Sequence, residues 1–171
     1  QDHGIEPAMT ASTGIAATHI GGMTIHSWSG IGVRDRLAEE DIDQLTQNER
    51  LVKRTQRARV LIIDEISMLS NETLLLIDTA LRALRRSSRS FGGLQVVLVG
   101  DFFQLPPVDK YGAAARAAST SELVFDGEDA PQDDGEAPRA PFAYHSSAWK
   151  ALNPLVCYLS EQHRQEDKTF L

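Results

Sequence analysis

Four consecutive large aliphatics, Val60, Leu61, Ile62 and Ile63, run directly into two acids, Asp64 and Glu65. A short unbroken apolar run of this kind suits a strand covered on both faces, as in a parallel sheet flanked by helices. In such sheets ligands sit beyond the carboxyl ends of the strands. The fold would therefore deliver two carboxylates to the edge where a metal-bound nucleotide could meet them. Hard oxygen ligands suit Mg²⁺, an ion that usually keeps part of its water shell. Taken alone, the same residues can equally be a strand ending in two solvated acids, so the neighbouring segments must decide.

Those segments repeat the pattern. After Val60–Leu69, Ser70 or Asn71 can cap a helix whose Leu74, Ile77, Leu81 and Leu84 recur at helical spacing, with Glu72 in the first turn and Arg82, Arg85 and Arg86 near the far end. Phe91-Gly92-Gly93 breaks that helix, and Gln95 to Val99 forms a second apolar strand. The strand–helix–strand order predicts a parallel sheet with right-handed crossovers. The second strand empties into Gly100-Asp101-Phe102-Phe103-Gln104-Leu105-Pro106-Pro107, a loop stiffened by two prolines. Asp101 and Gln104 can be turn residues, but their position on the same sheet edge as Asp64 favours a shared site.

Upstream, Ala8 to Ala11 is a short strand followed by Ser12-Thr13-Gly14, which places hydroxyls and a glycine at a helix mouth where free N–H groups favour an anion such as a phosphate. A short helix is predicted over Ile15 to Ile20, ended by Gly21-Gly22. The polar run Thr24-Ile25-His26-Ser27-Trp28-Ser29-Gly30 surrounds an aromatic residue that either plugs the core or offers a stacking face to a base. His26 alone reads as a structural histidine. One or two surface helices are expected between Arg34 and Arg59, with Lys53, Arg54, Arg57 and Arg59 forming a solvated basic face. Near the end, Ser147 to Leu152 suits a short helix and Leu155 to Leu159 a last strand.

The formal charge of −7 speaks against a nucleic-acid partner only until its distribution is considered. Glu122, Asp126, Glu128, Asp129, Asp133, Asp134 and Glu136 lie in one stretch without Lys or Arg; removing these seven from 24 acids leaves 17, against 17 basic residues. The acidity belongs to a segment from Asp109 to Ala140, rich in Ala, Ser, Asp and Pro, which reads as a flexible insertion because it cannot bury enough apolar surface to offset its ordering entropy. The single cysteine, Cys157, permits no internal disulfide and suits a reducing compartment. No apolar run approaches the roughly 20 residues needed to span a bilayer. A length of 171 residues beginning at Gln1 suggests one domain, or a fragment of a larger machine.

Four stretches taken together resemble a known helicase family. TASTGIAA (Thr10 to Ala17) with GGMTIHSWSGIG (Gly21 to Gly32) is similar to motif Ia and its extension, and VLIIDEISML is similar to motif II, the Walker B box. VLVGDFFQLPPV (Val97 to Val108) resembles motif III, and LSEQHRQEDKTF (Leu159 to Phe170) resembles motif IV. An aliphatic run ending in Asp-Glu is common, but four motifs in the right order are specific to the Pif (petite integration frequency) helicases, in the RecD-like branch of superfamily one. The resemblance implies that Asp64 helps hold Mg²⁺, directly or through water, and that Glu65 orients and deprotonates the attacking water. It implies that Gln104 senses the γ-phosphate of ATP and that Arg164 is an arginine finger, a device worth about 10³–10⁵ in rate. It places Thr13, Gly14, Thr24, His26 and Ser27 in the region that contacts single-stranded DNA, mainly through phosphates, with Trp28 where the family has an aromatic.

The resemblance implies an α/β, RecA-like P-loop NTPase fold, a mostly parallel sheet flanked by helices, from which the first strand and P-loop are missing. No G-x-x-x-x-G-K-[ST] pattern occurs, and none of the four lysines, Lys53, Lys110, Lys150 and Lys168, follows a glycine. The expectation is a partial motor domain over residues 1–171, with an insertion at 109–140 and a second motor domain beyond Leu171. The function implied is ATP-dependent, 5′-to-3′ unwinding of duplex or structured DNA in repair, recombination and telomere maintenance, in the nucleus or mitochondrion of a eukaryotic source. Two rivals are a P-loop ATPase switch that binds no DNA, and a non-catalytic or transposon-borne relic that only binds nucleic acid.

Overall fold

The computed structural model describes residues 7–105, 107 and 142–161. Among the described residues four strands form one parallel sheet: β1 (Ala8–Ala11), β2 (Met23–Thr24), β3 (Val60–Asp64) and β4 (Gln95–Leu98), in the spatial order β2-β1-β3-β4. The helices are α1 (Gly14–His19), α2 (Ile25–Ser29), α3 (Glu39–Gln47), α4 (Glu49–Arg57), α5 (Asn71–Leu84) and α6 (Ser147–Leu152), with 3₁₀ turns at Ile66–Met68, Ser90–Gly93 and Ala143–His145. No helix among the described residues is long and apolar enough to cross a membrane.

The sheet follows from its apolar pairings. Ala8 to Ala11 lie opposite Leu61 to Asp64, and Val60 to Ile63 lie opposite Gln95 to Leu98. Thr10 is fully buried at the sheet centre because its hydroxyl donates to the Ile62 carbonyl at 2.6 Å, leaving no polar atom unsatisfied. β3 is not equally covered on both faces, contrary to its unbroken aliphatic composition. Leu61 and Ile63 are fully buried, whereas Val60, Ile62 and Asp64 are half-buried. β4 is more open still, with Val97 and, just beyond its end, Val99 exposed, since it is the outer strand of the described sheet.

The buried face packs on the helix whose stripe the sequence marks. Leu74, Ile77, Leu81 and Leu84 of α5 all lie in the core with Leu61, Ile63 and Phe91. The Ser70 hydroxyl accepts the Thr73 N–H at 3.1 Å and so caps the helix. The arginines at its far end do more than complement the helix dipole. Arg82 pairs with the buried Asp78 at 2.9 Å, and Asp78 also accepts the N–H of Phe91. Arg85 donates to the carbonyls of Gly92, Thr55 and Ala58, tying α4, α5 and the turn before β4 together.

One expectation holds in its two-helix form, and another changes. The charged segment folds as α3 and α4, the latter capped by Asn48, whose side chain accepts the Leu51 N–H at 3.1 Å. The strand expected over Leu155 to Leu159 does not form: the backbone there is irregular, and Leu155, Tyr158 and Leu159 are more than nine-tenths exposed. Its apolar composition is strand-like, but no described strand offers it a ladder, and an unpaired edge segment has no reason to extend. The insertion expected at 109–140 lies outside the described residues.

Candidate nucleotide and nucleic-acid site

Because all four strands run parallel, every carboxyl end opens on one edge. Asp64 ends β3 opposite Ala11, and Ala11 also lies opposite Thr24 at the end of β2. Ile63 lies opposite Leu98, so Gly100 and Asp101 leave β4 on the same edge. The register therefore gathers Thr13, Gly14, Thr24, Asp64, Glu65, Asp101 and Gln104 along one side of the sheet, from four separate stretches of sequence.

The turn after β3 is held from both sides. One Asp64 carboxylate oxygen accepts the Glu65 N–H at 2.9 Å, and the Ile66 N–H donates to the Val99 carbonyl at 2.9 Å. Between these bonds Glu65 adopts φ 53°, ψ 45°, a left-handed conformation that costs a non-glycine residue of order 1–3 kcal/mol. The same closure requires Gly100, where a Cβ would stand 2.9 Å from the Ile66 nitrogen. The loops after β3 and β4 are thus in direct backbone contact.

Asp101 organises the second loop. One carboxylate oxygen accepts the Phe103 N–H at 2.9 Å, the other accepts the Gln104 side-chain amide at 3.0 Å, and the Asp101 carbonyl accepts the Gln104 N–H at 3.2 Å. The Phe103 N–H, and then the Gln104 amide, hold the Asp101 carboxyl below its usual pKa range. Among the described residues no group of three or more His, Cys, Asp and Glu side chains is placed to hold a metal. The donors present at the edge, the free oxygen of Asp64 and the carboxylate of Glu65, fit an ion that takes most of its shell from phosphate and water, as Mg²⁺ does.

Next to these acids lie the hydroxyls of the first two loops. Thr13 caps α1, accepting the Ala16 N–H at 3.2 Å; Thr24 caps α2, accepting the Ser27 N–H at 3.2 Å and donating to the Ser27 hydroxyl at 3.0 Å. Ser27 is exposed, and His26 is half-buried with its carbonyl accepting the Gly32 N–H at 3.1 Å. Trp28 is only 4% exposed and belongs to the core with Ile25 and Ile31. Of the two readings of this residue, the structure gives the core plug: on a short helix whose Ile25 and Ser29 are also buried, it lies inward and offers no open face to a base. Arg164 lies outside the described residues.

The sequence pattern puts Arg54 in a solvated basic face, but the structure half-buries it. Its guanidinium donates to the carbonyls of Ser27 and Trp28 at 2.8 and 2.7 Å, covering the carboxyl end of α2, and burial lowers its pKa. The available signal was its helical spacing, since Arg54 follows the buried Leu51 by three residues and precedes the buried Ala58 by four.

Known proteins share the fold that carries these residues. The family model described as PIF1-like helicase matches residues 3–123. The ATP-dependent DNA helicase Pif1 of Psychrobacter sp. is 47% identical over 159 residues, covering 93% of this chain and 21% of that protein. The crystal structure of Pif1 helicase from Candida albicans superposes with a TM-score of 0.65 at 39% identity, covering 85% of this chain and 27% of that one. The structure of Pif1 helicase from Bacteroides in complex with ADP-AlF3 and ssDNA gives a TM-score of 0.58 at 34% identity, over 83% of this chain and 29% of that one. The fold is thus the α/β, RecA-like fold of these helicases. The chain spans about a fifth of the length of the curated relatives it matches. With its acids and hydroxyls on one edge of such a sheet, the chain belongs to the PIF1-like helicase family.

Proposed function

We propose that this chain is the core of the first motor domain of an ATP-dependent 5′-to-3′ DNA helicase, coupling ATP hydrolysis to movement along single-stranded DNA and to unwinding of duplex or structured DNA in genome maintenance. The observation that carries this reading is the convergence of the Asp64–Glu65 turn, the Asp101–Gln104 turn and the Thr13 and Thr24 loops on one sheet edge. A pure nucleotide switch would have no use for a hydroxyl-rich track beside its carboxylates. The reading is supported by a similar structure, Pif1 helicase from Bacteroides, determined in complex with ADP-AlF3 and ssDNA.

In this mechanism Asp64 would hold Mg²⁺, directly or through retained water. The bound ion would neutralise phosphate charge. Glu65, fixed in its left-handed turn, orients the attacking water and accepts its proton. Gln104 leaves Asp101 to contact the γ-phosphate, so that its position reports hydrolysis. Arg164 supplies positive charge where the phosphoryl group becomes more anionic. Thr13, Gly14, Thr24, His26 and Ser27 contact DNA phosphates, which makes binding weakly sequence-selective and salt-dependent. Residues 1–171 form part of the motor domain, with residues 109–140 as an acidic insertion, and a second motor domain completes the motor. In a eukaryotic cell the place of action is the nucleus or mitochondrion.

The test is ATP turnover with and without single-stranded DNA. The full-length protein should be stimulated by DNA, and the 171-residue chain alone should show no turnover above background because it lacks the phosphate cradle. A full-length ATPase indifferent to DNA would support the switch reading instead.

A further inference from the structure

Two adjacent phenylalanines in the turn after β4 have opposite surroundings. Phe103 is fully exposed, whereas Phe102 packs against the core. The Phe102 ring meets three others edge-on: Phe142 at 5.7 Å and 89°, Tyr144 at 5.0 Å and 83°, and Trp149 at 6.1 Å and 73° between centroids and planes. Phe142 and Tyr144 are themselves stacked at 5.3 Å and 14°. This is the edge-to-face geometry in which ring quadrupoles attract, so the contacts are directional as well as apolar.

The polar groups of the same turn look inward. Among the described residues, the hydrogen bonds of the Asp101–Gln104 turn all close on Asp101: from the Phe103 N–H, the Gln104 N–H and the Gln104 side-chain amide. Those bonds give the turn its shape and do nothing to fix its position on the protein. Position comes from the β3–β4 ladder at one end and from the Phe102 ring in the middle. The socket is anchored in turn, because Phe142 forms an antiparallel bridge with Ser70, the cap of α5 that closely follows Glu65.

We propose that Phe102 is the positioning residue for Gln104, its ring seated in a socket of Phe142, Tyr144 and Trp149 that registers the Gln104 turn against the Asp64–Glu65 turn. The proposal rests on the reading of Gln104 as the γ-phosphate contact. It makes the two apparently separate conditions of the site, a correct turn shape and a correct turn position, the work of Asp101 and Phe102 respectively.

The experiment is a double-mutant cycle in the full-length protein, read as kcat and KM for ATP at saturating single-stranded DNA, with melting temperature recorded for each variant. Phe102→Leu keeps an apolar side chain and removes the edge-on ring. It should lower kcat about 10- to 100-fold, as expected when a reacting group is misplaced, and change the KM for ATP and the DNA affinity less than two-fold. Tyr144→Phe, which keeps the socket's ring, should retain wild-type kcat. Phe102→Leu combined with Gln104→Ala should be no slower than Gln104→Ala alone, because Phe102 acts only through Gln104. If Phe102→Leu fails to fold, Trp149→Leu removes one wall of the socket and enters the same cycle. Multiplying losses in the double variant, or an unchanged kcat in Phe102→Leu or Trp149→Leu, would overturn the proposal. An unchanged kcat in Gln104→Ala would instead remove the underlying reading of Gln104.

Discussion

Replacing Trp28 by alanine separates a DNA-stacking residue from a core plug. The Trp28 side chain is 4% exposed and packs with Ile25, Ile31, Leu45 and Leu51 in the core. Truncation removes the whole indole, and the short helix α2 cannot collapse to fill the space. Its carboxyl end is fixed by Arg54, and Gly30 beside it, at φ 82°, already has Leu51 and Leu45 methyl groups within 2.9 Å of where a Cβ would lie. Large-to-small changes of this kind cost about 3–5 kcal/mol. For a domain of this size each kcal/mol shifts the melting temperature by roughly 2–4 °C, so a fall of about 6–20 °C is expected. Thermal melting and DNA titration of Trp28→Ala in the full-length protein read the two quantities side by side. An unchanged melt with DNA binding weakened by about 1–3 kcal/mol would refute the burial reasoning and restore the stacking role.

Three further outcomes follow from named contacts. Arg54→Ala leaves the Ser27 and Trp28 carbonyls without their donor and should cost about 1–2 kcal/mol of stability by chemical denaturation, with weakened DNA binding; Arg54→Lys, lacking a planar fork, should not restore it. Deleting Gly112 to Arg139 and closing the gap with a short Gly/Ser link should leave melting temperature and ATPase nearly unchanged, because loop shortening costs little and Phe102 and Phe142, on either side of the gap, already touch. The same deletion should raise DNA affinity at low salt by removing seven clustered acids, a gain lost at high salt. The carboxyls of Asp101 and Asp41 are both lowered, chiefly by the backbone N–H groups of Phe103 and Ala38. Groups lowered in the folded state contribute stability above the ordinary value of 3.8 and lose it as pH falls through the lowered value, so these two turns should be insensitive between pH 5 and 8 and loosen only below about pH 4, which a pH series of amide exchange would detect.

The parts of the fold readable from sequence are those set by local pattern. β1, β3, the α5 stripe and the cap at Ser70 depend on residues a few positions apart, and each stands where its pattern places it. What could not be read depends on contacts across long separations. Arg54 and Arg85 bond carbonyls 26 to 30 residues away in chain order, and although helical spacing turns Arg54 inward, no local pattern names those partners. The apolar run Leu155 to Leu159 is the converse case: its composition is that of a strand, but a strand needs a neighbour as well as a pattern. The candidate site was readable in composition, because Asp64, Glu65, Asp101 and Gln104 each follow an apolar run. Its construction was not. The left-handed Glu65, the close approach at Gly100 and the aromatic socket of Phe102 arise only when β3 and β4 lie side by side.

The central claim, that the Asp64–Glu65 turn drives ATP hydrolysis, is tested most directly by Glu65→Gln in the full-length protein. Glutamine keeps the size and hydrogen-bonding reach of the side chain but cannot accept the water's proton. Nucleotide affinity, measured by titration, should stay within a few-fold of wild type, while DNA-stimulated turnover falls by about 10²–10⁴, the loss expected for a general base. Turnover that survives the substitution, or affinity that collapses together with turnover, would contradict the assignment and make Glu65 a bystander or a structural ligand.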